Sequence, residues 1–405
     1  MFKDLTIPVF TGIIGYVTNW TGIWMLFNPL EFKGFRLPGL AYLAKLLPRK
    51  IQQVPGVMHG GVGWQGIIPS RAAKMGSISV DKTIAKIGSA HDFYASLDPE
   101  ALADHILATS RDDMSALVED AIREQQPQMW EDLPPQARDA IRRRIREQMP
   151  EIVREVVVDK IGDNIDQLLD VKLMVIRHIE ARPELANRMF REVGEKELRF
   201  IINFGFFFGF VCGIPVVFIT HLLPHWWVLP VLGTAVGWVT NWLAIQMIFE
   251  PNEPVRFLGR DWQGLFLKRR DRAGEVYSGI VADEIVTVSN IGEELMNGPS
   301  SDRTRHLIAA SLRPAIDRAS GQFQPLVRVA VGTREYDAIR EEIATGGVDY
   351  TLTPLQDEAF NREQSKKLRK LMTERMRELS NPDFAEMLRS GMREDEWLLI
   401  LHGAV

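Results

Sequence analysis

The chain is nearly free of cysteine: Cys212 stands alone among 405 residues. No disulfide framework can form within it, so cysteine usage gives no sign of an oxidising compartment. A basic excess is missing too. Lys and Arg number 48 against 53 Asp and Glu, for a net charge of −5, whereas a general nucleic-acid binder is usually basic. No nucleic-acid partner is expected. Catalytic signatures are absent as well: there is no phosphate-cradling glycine loop with a lysine, no HExxH, no CxxC and no nucleophile elbow. His221 and His225 have a chelating spacing, but Pro224 interrupts them and no acidic third ligand is near. They read as interfacial polar residues rather than metal ligands. The chain is therefore expected to be no enzyme and to hold no cofactor. No cleavable leader is evident either, since MFKD runs into an apolar stretch without a small-x-small cleavage site.

One further absence is local. Residues 5–27, 200–223 and 226–249 are 23, 24 and 24 residues long and hold no charge. About 20 apolar residues carry a helix across the hydrocarbon core, so three transmembrane helices are expected. HLLPHWW (221–227) is too short for a domain and makes the last two a hairpin. The flanking regions then share one side. Lys33, Arg36, Lys45, Arg49 and Lys50 follow the first span; Arg188, Arg191, Lys196 and Arg199 precede the second; Arg256, Arg260, Lys268, Arg269, Arg270 and Arg272 follow the third. The opposite face holds only Lys3. By the positive-inside rule both large regions are cytoplasmic, with Trp226 and Trp227 at the outer interface.

What is present includes a repeated sentence. GYVTNWTGIWMLFNP (15–29) and GWVTNWLAIQMIFEP (237–251) agree at nine of fifteen positions. Trp64-Gln65-Gly66 and Arg71 recur as Trp262-Gln263-Gly264 and Arg269 at a shorter offset, so the first copy carries 24 extra residues between the blocks. The pattern implies an internal duplication whose copies run in the same direction, a parallel repeat. Thr18, Asn19 and Trp20, with Thr240, Asn241 and Trp242, place amides in apolar runs, where unpaired polar groups are costly. Gly15, Asn19 and Gly22 share a stripe, as do Gly237, Asn241 and Ala244. The stripes suit packing of spans one and three on each other; the other readings are a polar path and a subunit interface. Gly205, Gly209 and Gly213 form a packing ridge on span two whose partner the sequence leaves open.

The cytoplasmic regions read as helical. RLPGLAYLAKLLPRKI (36–51) suits an interfacial amphipathic helix, and Trp64, Arg71, Trp262 and Arg269 suit either the headgroup layer or domain docking. Apolar residues from Ile152 to Ile176 recur as on one long helix, and prolines at 127, 134, 135, 150 and 183 punctuate helices. In 364–379, Leu368, Leu371, Met372 and Leu379 oppose a basic face that includes Lys366, Lys367 and Lys370. That face is either solvated or laid on anionic lipid. VDYTLTP (348–354) is the one β-like piece. The apolar tail DEWLLILHGAV is too short to span; it dips into the interface, packs on the spans or begins a fourth span.

The elements TNW-x-x-I-x-M-x-F-x-P, GIIPSRAAKMG and REVGEKELRFIINFGFFFGF resemble the bacterial membrane-protein family of domain of unknown function 445 over almost the whole chain. The resemblance implies a bacterial cytoplasmic (inner) membrane protein with large helical regions, and brings no activity or site residues. The expectation is an all-α integral membrane protein with three transmembrane helices, an internal parallel duplication and two large helical cytoplasmic regions. Its divisions are 1–27 (first span), 28–199 (first helical region), 200–249 (hairpin of spans) and 250–405 (second helical region with apolar tail). It would act as a scaffold binding lipid or protein, with membrane lipids and a homo-oligomer or protein as partners. The alternative is an oligomeric transporter, channel or lipid-handling protein.

Overall fold

The computed structural model describes residues 2–36, 42, 46, 48–52, 54–257, 259–320, 324–390, 393 and 396–404. About 83% of it is helical. The chain forms two compact units, each assembled from stretches far apart in sequence. The first joins Met1–Ile87, Val175–Ile280 and Thr373–Val405; the second joins Gly88–Met174 and Val281–Met372.

The first unit holds the apolar helices. Its main elements are α1 (Phe2–Phe27), β1 (Lys33–Arg36), β2 (Gly61–Trp64), α2 (Ala72–Ser79), α3 (Pro183–Val193), α4 (Glu195–Leu222), α5 (Val228–Phe249), β3 (Val255–Phe257), β4 (Arg260–Trp262), α6 (Arg270–Ile280), α7 (Asn381–Ser390) and α8 (Glu396–Ala404). Among the described residues, α4 and α5 are long and apolar enough to cross a membrane. At 26 residues α1 matches them in length, but Thr6, Thr11, Thr18, Asn19 and Thr21 dilute its apolar character.

The glycine ridge of α4 finds its partner in α1. A Cβ added at Gly209 would lie 2.6 Å from the Thr11 carbonyl oxygen, one at Gly213 would lie 2.5 Å from Cα of Pro8, and Gly205 and Gly15 meet backbone to backbone. Only glycine lets two helices approach this closely. The α1 stripe through Gly15 and Asn19 thus faces the second apolar helix. This departs from the expectation that the first and third pack on each other: three glycines on α4 offer a flatter surface than α5 does. On the far side of α1, Phe10, Ile14, Val17, Trp20 and Trp24 are exposed. Trp238 and Trp242 stack with ring centroids 6.5 Å apart on α5 and are exposed as well. The tail residues from Glu396 form α8, which packs along α5 and α1. Thr21 Oγ1 and His402 Nε2 share a hydrogen bond at 3.0 Å.

The two Thr-Asn stretches lead into closely similar structures. After α1 and after α5 the chain forms an antiparallel hairpin, with Trp64 opposite Lys33 in one and Trp262 opposite Val255 in the other. The Gly66 N–H donates to Pro29 O at 2.9 Å, and the Gly264 N–H to Pro251 O at 3.1 Å. Gln65 Nε2 donates to Leu30 O at 2.7 Å, and Gln263 Nε2 to Asn252 O at 3.1 Å. The additional residues of the first copy lie in the β1–β2 connection; most of the amphipathic segment expected at 36–51 falls there, outside the described residues.

The second unit is a helical assembly around Phe93, Ile106, Trp130, Ile161, Ile165 and Ile285, all fully buried. Its two halves begin alike. Ser89 Oγ accepts from the Asp92 N–H at 3.1 Å and Thr287 Oγ1 from the Asn290 N–H at 3.1 Å, each capping a helix (Ala90–Ser96 and Val288–Asn297). A side-chain oxygen at the N-cap satisfies an otherwise orphan donor. Three of the punctuating prolines, Pro127 and Pro135 here and Pro183 in the first unit, stand at helix starts, where a fixed φ and a missing N–H cost nothing. Pro150 instead lies inside Pro135–Arg154. The single long helix expected over 152–176 is broken. A π-helical stretch (Glu155–Ile161) and Gly162–Leu168 come first, then Asp170 Oδ1 accepts from the Leu173 N–H at 2.9 Å to start a new helix. VDYTLTP is not extended: it ends the helix Thr333–Leu352 and enters a 3-10 turn. Burial of Ala344 and Val348, four apart, holds the helical period there against β-branched propensity.

Candidate functional site

The base of α1, α4 and α5 encloses a cavity of about 100 Å³ within the first unit. Its wall is built from amphipathic faces. Leu185, Ala186, Met189 and Val193 of α3 are buried at helical spacing, and Ala186, Met189 and Val193 reach the cavity. Gly194 ends α3, and α4 starts at once, bringing Glu197, Leu198 and Ile201 to the same wall. From α1 come Thr18, Asn19, Gly22 and Ile23, and from α5 Asn241, Ile245 and Ile248. Met75, Tyr277, Met387 and Glu396 are among the residues that close the remainder.

The polar groups on this apolar wall are few and placed by distinct contacts. Asn19 is 4% exposed, and its Nδ2 donates to Ile201 O at 2.7 Å, tying α1 to α4. Asn241 is 8% exposed. Thr240 is buried with its hydroxyl turned back onto Val236 O of its own helix at 2.6 Å, which satisfies it locally. Ser79 Oγ and Tyr277 OH share a hydrogen bond at 2.5 Å. Glu197 is 3% exposed. Arg269 Nη1 donates to its Oε1 at 3.4 Å, while its Oε2 is buried without a hydrogen-bond partner. Leaving a buried acceptor unpaired costs about 1–3 kcal/mol.

The structure thus brings Thr18, Asn19 and Asn241 together at one cavity and sends Trp20 and Trp242 to the exposed faces of their helices. Arg269 pairs with Glu197, Arg71 is buried, and Trp64 Nε1 donates to Met25 O at 3.1 Å. Trp262 lies under Lys268 Nζ, 5.8 Å from its ring centre. In the second unit Lys366 and Lys370 are exposed, and Lys367 donates to Asp98 Oδ2 at 2.8 Å. That hydrogen bond holds the Asp98 carboxyl below the usual range. Glu197 was missed by sequence reading. Its signal was phase: Glu197, Ile201, Gly205 and Gly209 stand four apart, so the carboxylate continues the glycine ridge below the apolar run. Among the described residues no group of three His, Cys, Asp or Glu could hold a metal ion.

Comparison with known proteins gives partial matches. The chain is 38% identical over 69 residues to a UPF0754 membrane protein of Bacillus mycoides (strain KBAB4), covering 16% of this chain and 18% of that one. It is 37% identical over 70 residues to a UPF0754 membrane protein of Bacillus velezensis, covering 16% and 19%. A third relative from Bacillus cytotoxicus is 37% identical over 67 residues, covering 16% and 18%. The match therefore spans under a fifth of the relatives' length. No family model and no solved structure matches the chain, so the likeness to domain of unknown function 445 rests on the motifs alone. The chain is similar, over a short stretch, to uncharacterised bacterial membrane proteins.

Proposed function

We propose that this is a three-span, non-enzymatic protein of the bacterial cytoplasmic membrane that holds part of an amphiphile in the cavity at the base of its spans. The single observation that carries the reading is the cavity itself: an almost wholly apolar wall to which α1, α4 and α5 all contribute, with Asn19, Asn241, Glu197 and Glu396 among its few polar residues. Ligand sites are typically apolar hollows with a few placed polar groups.

The membrane setting has further support. The outward faces of α1 and α5 expose large apolar side chains, as lipid-facing surfaces do, and the curated relatives are named membrane proteins. The matched hairpins, the paired Gly and Gln hydrogen bonds and the paired caps support a parallel duplication. The basic residues flanking the spans support cytoplasmic placement of both helical regions. A scaffold role for those regions is part of the same reading, with membrane lipid and protein as partners.

The Asn19 bond to Ile201 O favours a second reading, in which the Thr-Asn pair is only a packing seam. Native mass spectrometry of the protein released in mild detergent separates the two. An amphiphile adduct is expected on the wild type and lost in Ile245→Trp, whose ring fills the cavity. A folded wild type that carries no adduct and takes up none would leave the seam reading standing.

A further inference from the structure

The cavity wall has a chemical preference as well as a shape. Glu197 is its most deeply buried ionisable group, and only one of its oxygens is engaged, by Arg269. The Glu197–Arg269 pair is close to neutral as a unit, and Glu396, the other carboxylate of the wall, accepts from Arg389 Nε at 2.8 Å. A second cation brought beside it would stand as an uncompensated charge against the apolar wall, and an anion would meet the carboxylate head-on; both are costly where water is excluded. A neutral donor avoids both costs and completes the carboxylate's hydrogen bonding.

The size is consistent with a small headgroup. About 100 Å³ is several times the roughly 10–15 Å³ that one water needs in a cavity. That accommodates a hydroxymethyl or glycerol end with its adjoining carbons, but not a whole lipid. The remainder of a chain would run along Ile23, Ile201 and Ile245, between helices whose outer faces meet lipid. We infer that the cavity binds the hydroxyl-bearing end of an uncharged single-chain amphiphile of the glycerol-monoester class, with Glu197 as the hydrogen-bond acceptor. This deepens the amphiphile reading above and rests on it.

Three probes with the same chain and different ends test the inference on the full-length protein in detergent: monooleoylglycerol, oleate and oleylamine, titrated at pH 8 by native mass spectrometry. For the wild type, the glycerol ester should bind about tenfold or more tightly than either charged probe, the ratio set by one unsatisfied buried group. Glu197→Gln keeps a carbonyl acceptor and should retain the ester within about threefold. Glu197→Leu removes the acceptor and should lose about tenfold, while thermal unfolding in the same detergent reports whether it is folded. Equal binding of all three probes would overturn the headgroup assignment and leave the chain site intact. Tightest binding of the amine, abolished in Glu197→Gln, would replace it with a cation site. Binding of none, in a folded wild type, would remove the amphiphile reading altogether and leave the packing-seam reading standing.

Discussion

At the scale of single residues, the arrangement turns on close approach and on buried hydrogen bonds. Gly209 lies against the α1 backbone, whereas a Cβ placed on Gly233 of α5 would meet nothing within 4 Å. Gly209→Leu should therefore cost about 1–3 kcal/mol through overpacking, and Gly233→Leu should be near neutral. Thermal unfolding in detergent, followed by size-exclusion recovery, measures the difference; equal losses would count against the α1–α4 seam. Asn19 shows how far a residue reads from sequence. That its amide must find a partner followed from the cost of a bare polar group in an apolar run. That the partner is the carbonyl of Ile201, 182 positions away, did not, because nothing local encodes which helix arrives. Arg269 makes the same point. A basic residue close to a span suggests the headgroup layer, yet its guanidinium turns to Glu197.

At the scale of elements, the hairpins after α1 and α5 are the parts that sequence reading passed over. Their strands are only three or four residues long, below the length at which alternation becomes a signal. The first hairpin sets Phe35 opposite Val62, and both are exposed, Phe35 at 82%, with Lys33 and Arg36 exposed beside them. An aromatic and a basic residue so close to an apolar helix end suit the headgroup layer. In a Cys212→Ser background, an environment-sensitive dye at Phe35→Cys or Val62→Cys should shift to the blue and resist a water-soluble quencher in proteoliposomes, while Asp112→Cys should do neither. Full quenching at Phe35→Cys would place the hairpin in water. The long helices were legible because apolar runs and helical spacing are local properties. The break at Leu169–Asp170 was less so, since a single capping carboxylate decides it.

At the scale of the whole molecule, four carboxylates of the second unit are held in their charged form, while burial raises Glu342. The Lys367 hydrogen bond lowers the carboxyl of Asp98, the Arg142 hydrogen bond lowers Glu119, the Arg313 hydrogen bond lowers Glu341, and backbone N–H groups of Phe360 and Ala359 lower Asp357. Each has a folded value below its unfolded one. Its contribution is thus fully present above the ordinary carboxylate range and disappears as pH falls through the depressed folded value. Thermal stability should be flat from pH 7 to about 5 and fall below about pH 4, and Glu119→Gln should flatten that fall while lowering the neutral plateau. A plateau that persists to pH 3 would contradict it. The helical class, the apolar helices, the lack of a disulfide framework and the repeated motif were all readable along the chain, because each depends on composition or on spacing within one segment. Packing settled the rest: that the glycine ridge meets α1, that Asn19, Glu197 and Asn241 share one cavity, and that Arg269 faces inward. Those outcomes depend on which surfaces fit once distant segments come together, and no period along the chain records that choice.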